Sequence, residues 1–163
     1  MTFEEYQKEA VSFRSETANN EEYLTLGLIE EVGEAAGKLA KRRRDGVFDV
    51  KAFVKELGDI LWFVANLADY YDKYNDWDFS AKLKGCFGEA VDYSSNTAEV
   101  EIVELAEDAI NFIDGVVVNN VVIMISALAK RYGYTLEQVA EINLAKLRDR
   151  AARGQIQGNG DER

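Results

Sequence analysis

No proline occurs in the 163 residues of this chain, and its apolar residues recur at helical rather than alternating spacing. Proline is the strongest local breaker of a helix, and a half-buried strand needs an alternating pattern. The pattern therefore reads as helices almost throughout, an all-α bundle. Thr2 with Glu5 forms a capping box ahead of a first helix whose stripe is Phe3, Tyr6, Ala10 and Phe13. Asn19 and Asn20 suit the cap of a second helix over about residues 21–43, with Leu24, Leu28, Ala35 and Leu39 on one face, and Asp45-Gly46 ends it. Asp49 caps a third helix to about Tyr74, with Phe53, Leu57, Ile60, Val64 and Leu67 facing inward.

The middle is less regular. Stretches 75–80 and 93–97 read as loops around a short helix. Asn96 with Glu99 offers a further cap, and a helical pattern from Val100 breaks near Asp114-Gly115. Val116, Val117 and Val118 have strand propensity, but Ile123, Leu128 and Ala129 restore a helical reading before Gly133. Thr135 with Gln138 is a capping box for a last helix through about Ala152. With no linker in view, residues 1–152 are expected to form one domain, with an extra helical segment at about 75–125 and an irregular tail over 153–163.

Charge and residue usage exclude several kinds of chemistry. There are 30 acidic against 19 basic residues, a net charge of −11, which opposes nonspecific nucleic-acid binding. A small polyphosphate is still within reach if divalent cations stand between the two anions. Histidine is absent and Cys86 is the sole cysteine, so imidazole triads, His-zinc sites and thiolate clusters are ruled out. Any reaction falls to carboxylates, amines, guanidiniums and hydroxyls. No apolar run is long enough for a membrane span, the amino terminus lacks a signal-peptide pattern, and no intrachain disulfide can form, which together point to the cytoplasm.

A weak internal repeat is also visible. Leu28 to Ala35 aligns with Leu83 to Ala90, and Ala65 to Tyr71 aligns with Ser126 to Tyr132. Opposite Glu31, Glu56 and Asp59 the second copy would carry Cys86, Val117 and Asn120, leaving one active half.

The candidate chemistry sits on two acidic pairs. Glu31 and Glu34 are three apart, as are Glu56 and Asp59, so each pair shares a helical face. Glu31 falls inside the stripe between Leu28 and Ala35, and Glu56 and Asp59 sit among Phe53, Ile60 and Phe63. Carboxylates turned toward a helix–helix seam are costly unless a cation meets them there. Antiparallel packing of the two helices would gather all four acids, and an all-oxygen ligand set favours Mg²⁺ or Mn²⁺. Acidic pairs at this spacing also occur on solvated faces, so spacing alone leaves both readings open.

Residues 27–35, followed by Lys55-Glu-Leu-Gly-Asp-Ile-Leu-Trp-Phe63, resemble the ExxE…ExxD signature of MazG-like all-α nucleoside triphosphate pyrophosphohydrolases. The last helix is similar to that family's closing Asn-x-x-Lys-Leu-x-x-Arg pattern through Asn143, Lys146 and Arg150, and the tail resembles that of small members. The resemblance covers residues 1–72 and 126–163. It implies cleavage of a nucleotide between its α and β phosphates to a monophosphate and pyrophosphate, a house-cleaning task on the nucleotide pool. It implies Glu31, Glu34, Glu56 and Asp59 as metal ligands, with Glu34, or Glu30 one turn back, as the base that takes a proton from water. Asn143, Lys146 and Arg150, with Lys38 from the basic run that ends the second helix, are the expected phosphate contacts. Asn66 and Trp62 are the candidates for base or sugar.

Small members of the family lack the segment at 75–125. Dimeric dUTPase-like relatives are expanded, so a dUTPase- or dCTPase-type preference and a homodimer or higher homo-oligomer are expectations. Phosphoribosyl-ATP pyrophosphohydrolases are a further relative whose tail fits less well. The competing reading is a catalytically silent helical protein that binds a nucleotide or a partner.

Overall fold

A computed structural model of the protein describes residues 1–76, 78–87, 97–111 and 117–155. Among these the fold is all-α: α1 (Phe3–Ser12), a 3₁₀ turn (Glu16–Ala18), α2 (Glu21–Asp45), α3 (Val50–Asn75), α4 (Phe79–Leu83), α5 (Ala98–Ile110), α6 (Val117–Arg131) and α7 (Leu136–Ala152). The helix ends follow local side-chain chemistry. Thr2 and Thr135 each form a complete capping box, and Asn20 and Asp49 accept the N–H groups of Tyr23 and Ala52. Gly46 closes α2 in the left-handed region (φ 71°), where a side chain would be strained, and Arg42, Arg43 and Arg44 lie in the last turn, at the negative end of the helix dipole.

That turn folds α2 back along α3. The α2–α3 hairpin and the helices α5 and α6 make a four-helix arrangement in which α2 packs on α3 and α5, and α6 packs on α5 and α3. α1 and α7 cover α3 from outside and touch each other, while α4 bridges α3 and α6. α3 is thus surrounded, and half of its 26 residues are buried, from Phe53 to Tyr71. One contiguous core runs from Phe3 of α1 to Leu144 of α7. All the inward positions read for α2 and α3 are buried.

Two boundaries differ from expectation. α5 starts at Ala98 behind Thr97, whose hydroxyl accepts the N–H of Val100, so the cap is Thr97 and not Asn96, which lies outside the described residues. α4 takes in Ser80, read as loop, because the Asp72 carboxylate reaches across from α3 to accept the N–H groups of Phe79 and Ser80. A cap supplied from another helix leaves no local signature. Val116 lies outside the described residues, and α6 opens at Val117: Val118, Val121, Val122, Ile125, Leu128 and Ala129 are all fully buried at helical spacing. Asp114-Gly115, Trp77, residues 93–96 and the tail from 156 lie outside the described residues. Of the stretch aligned with Leu28 to Ala35, residues 84–87 follow α4 in a turn and 88–90 are outside the described residues. No helix among the described residues is long and apolar enough to cross a membrane.

Candidate metal centre and nucleotide cleft

The antiparallel α2–α3 hairpin sets Glu31 against Glu56 and Asp59. One carboxylate oxygen from each of the three lies within 4.8 Å of the others. Each acid is anchored by buried neighbours on its own helix, Leu28, Val32 and Ala35 around Glu31, and Val54, Leu57 and Ile60 around the other two. The side chains of Glu56 and Asp59 are only 12% and 13% exposed. Glu34 is one turn beyond Glu31 and lines the same cleft, outside the tight triad.

This crowding shows in the protonation of Glu31. Burial first, then the charges of Asp59 and Glu34, push its carboxyl up to about 8, against a smaller pull downward from Lys146. Two lysines lean into the cluster from its rim. Lys38 Nζ lies 3.0 Å from Glu56 Oε1, and this hydrogen bond, set against partial burial, raises the Lys38 ammonium. Lys146 reaches from α7 to Asp59 Oδ2. Four carboxylates thus stand around two paired lysines, a crowding of acids that a divalent cation would relieve.

The cluster opens into a cleft of about 580 Å³, a common size for a small-molecule site. Its walls divide by chemistry. Lys38, Lys55, Lys146 and Arg150 supply cations on the acid side; Phe13, Tyr23, Trp62 and Phe63 supply an aromatic end. Phe63 stacks edge-on against Trp62 (centroids 4.8 Å) and tilts against Tyr23 (6.0 Å). Gly27 makes that end possible, since a Cβ there would fall 2.3 Å from the Phe63 ring.

The expected site residues thus divide. Glu30, Glu31, Glu34, Glu56, Asp59, Lys38, Lys146, Arg150 and Trp62 all line the one cleft. Asn143 does not: it is 2% exposed and donates from Nδ2 to Asp59 Oδ1 at 3.0 Å, so it braces an acid and is sealed from any phosphate. Asn66 is also a correction. It is fully buried, donates to the Trp62 carbonyl at 2.8 Å and stands outside the cleft, out of reach of a base or sugar. Arg42 turns away to the Tyr132 hydroxyl (2.8 Å) and the Phe48 ring.

Sequence reasoning missed Lys55, Tyr23, Tyr6 and Gly58. Tyr6 reads as core on the α1 stripe, yet its hydroxyl donates to Asn143 Oδ1. Gly58 sits inside the ExxD spacing, where its smallness is the only signal. A Cβ there would meet Asn143 Cβ at 3.0 Å and the Val139 carbonyl at 3.4 Å, so glycine lets α7 approach α3 closely enough to deliver Asn143 and Lys146 to Asp59.

Residues 19–86 match the family described as the MazG nucleotide pyrophosphohydrolase domain. The Gene 37 protein of Mycobacterium phage L5 is 45% identical over 58 residues, covering 31% of this chain and 48% of the phage protein. The chain therefore spans about half the length of the curated relative it matches. No solved structure matches it. The matched residues take in the whole α2–α3 hairpin with all four acids, so over residues 19–86 this chain is similar to the MazG nucleotide pyrophosphohydrolase domain.

Proposed function

We propose that this protein hydrolyses a ribo- or deoxyribonucleoside triphosphate between its α and β phosphates, giving the monophosphate and pyrophosphate. The observation that carries this reading is the convergence of Glu31, Glu56 and Asp59 within 4.8 Å, in a cleft lined by both cations and aromatic rings. The donor set fits Mg²⁺ or Mn²⁺: it is all hard oxygen, and three partly buried carboxylates cannot all be charged without an added cation. Glu31, Glu56, Asp59 and the adjoining Glu34 would hold it. Once bound, it would neutralise the triphosphate and lower the pKa of a water.

The remaining work falls to the chain's own groups. A water oxygen attacks the α-phosphorus, the bond from that phosphorus to the bridging oxygen breaks, and pyrophosphate leaves. Glu34 takes the water's proton; Glu30, exposed on the same wall, is the alternative. Lys55 and Arg150 make no ion pair among the described residues and suit the β and γ phosphates. Lys146 and Lys38 exchange their carboxylates for phosphate oxygens as the substrate's own charge arrives. Trp62, Phe63, Tyr23 and Phe13 form the end suited to a nucleobase.

The same reading makes the protein a cytoplasmic house-cleaning enzyme, active as a homodimer or higher homo-oligomer, with dUTP and dCTP heading the substrate candidates. A panel of ribo- and deoxyribonucleoside triphosphates with Mg²⁺ or Mn²⁺ tests it, with products resolved by chromatography. Monophosphate with pyrophosphate is the expected outcome. Orthophosphate release would refute the bond assignment, and no turnover of any member would favour a silent nucleotide-binding protein.

A further inference from the structure

Asp59 is held from behind. Its Oδ1 accepts a hydrogen bond from Asn143 Nδ2 at 3.0 Å, and Asn143 Oδ1 accepts one from the Tyr6 hydroxyl at 2.9 Å. Three helices far apart in sequence thus meet in one line, from α1 through α7 to the acid on α3. Tyr6 is wholly buried and Asn143 nearly so, leaving water little part in the line.

The donors and acceptors admit one arrangement. An ionised carboxylate only accepts, so the amide must turn its NH₂ toward Asp59. Its carbonyl end then faces α1, where an N–H or O–H must meet it or a buried acceptor is left unpaired. The Tyr6 hydroxyl is the group in place. Burial, and after it the charge of Asp59, raises this phenol well above its ordinary range, so it stays a donor across the working pH range.

We propose that Tyr6 is a positioning residue of the metal centre: by donating to Asn143 Oδ1 it locks the amide orientation that aims Asp59. The relay rests on the reading of Asp59 as a ligand given above. It ties down Oδ1 and leaves Oδ2, held in this structure by Lys146, as the oxygen that turns to a cation. Without the hydroxyl the amide carbonyl is a buried acceptor with no donor facing it from α1, Asn143 is held at one end only, and its grip on Asp59 loosens.

Calorimetric titration of the nucleotide-free protein with Mn²⁺ tests this without reference to turnover. Tyr6→Phe should weaken Mn²⁺ binding about tenfold, the scale on which outer partners tune a metal site. Tyr71→Phe is the matched control, because it also removes the hydroxyl of a buried tyrosine, one bonded to Glu21 at 3.0 Å, remote from the cluster. It should lose similar thermal stability while keeping wild-type Mn²⁺ affinity. Tyr6→Phe combined with Asn143→Ala should bind no more weakly than Asn143→Ala alone, since both act through one line.

Wild-type affinity in Tyr6→Phe would overturn the relay. Absence of Mn²⁺ uptake by the wild-type protein would overturn the metal reading beneath it, a separate result seen before any variant is made. Should Tyr6→Phe fold poorly, the Asn143 side-chain amide in the wild-type NMR spectrum decides. A slowly exchanging NH₂ pair that persists with diamagnetic Mg²⁺ supports the relay, and fast exchange overturns it.

Discussion

Two helix seams in this molecule bury acids, and they neutralise them in opposite ways. In the α5–α6 seam Glu101, almost fully buried, receives two hydrogen bonds from Arg131, 2.6 Å from NH2 and 3.2 Å from Nε. The counter-charge is covalently part of the chain, planar and matched to the carboxylate. In the α2–α3 seam three carboxylates converge, and the ion pairs that two of them make among the described residues are with lysines leaning in from the rim. A flexible ammonium gives up a partner more readily than a fitted guanidinium. The first seam is complete and does structural work; the second is left short of positive charge and open to a cleft, which is what an ion-binding site requires.

The strongest way to break this contrast is to neutralise an acid in the incomplete seam. Glu56→Gln and Glu31→Gln should each lower turnover by more than about a hundredfold, since each removes a proposed ligand, a heavier loss than that of an outer partner. Glu31→Gln carries a second, opposite expectation. Folding raises the Glu31 carboxyl to about 8, a cost that a neutral amide does not carry, so the metal-free variant should melt at a higher temperature than wild type at pH 7 and above. Retained turnover in either variant would sink the ligand assignment. A lowered melting point in Glu31→Gln would show that the seam is already neutralised by the chain itself.

The same change in the complete seam should do the reverse. Glu101→Gln removes the charge matched to a guanidinium that is itself about one-third exposed, at a cost of about 2 kcal/mol, below the range for fully buried pairs. Turnover per folded molecule should be unchanged. Denaturant unfolding and a rate normalised to folded protein check both halves. A variant that is stable but inactive would mean that the α5–α6 seam takes part in the chemistry.

Of these two seams the sequence discloses one well. Glu31, Glu34, Glu56 and Asp59 show in the sequence because each breaks an apolar stripe on its own helix, and a stripe is a local pattern. The caps Thr2, Asn20, Asp49 and Thr135 are legible for the same reason. What escapes is whatever a second helix decides. Asn143 and Asn66 read as solvent-facing ligands for substrate, yet α1 and α3 close over the first, and the second disappears among helices packed on α3. Tyr6 reads as core because a hydroxyl at the end of a buried ring leaves no trace in spacing. Gly58 reads as a filler inside a motif, and its role exists only because α7 lies against it. Glu101 looks like one more acid on an acidic helix until Arg131 is seen across the seam.

The smallest expected effect sharpens the contrast through pH. Burial and neighbouring acids raise Glu31 from its ordinary 4.5 to about 8 in the folded protein. Between those values the folded state holds a proton that the unfolded state has released. Stability of the metal-free protein therefore falls as pH rises through this window, and the penalty is complete above about pH 8. At 1.36 kcal/mol per unit the ceiling is about 5 kcal/mol, and solvent access to the cleft reduces it to about 2. Asp108, also raised by burial, adds a slope of the same sign. Urea unfolding in EDTA at pH 5, 6, 7 and 8 should show the decline. It should shrink in Glu31→Gln and persist in Glu101→Gln. Saturating Mg²⁺ should reverse the trend, because the cation binds the carboxylate and displaces its proton, so its stabilising effect grows with pH. A flat profile in EDTA would mean that Glu31 already meets a counter-charge in the folded chain, and the difference between the two seams would vanish.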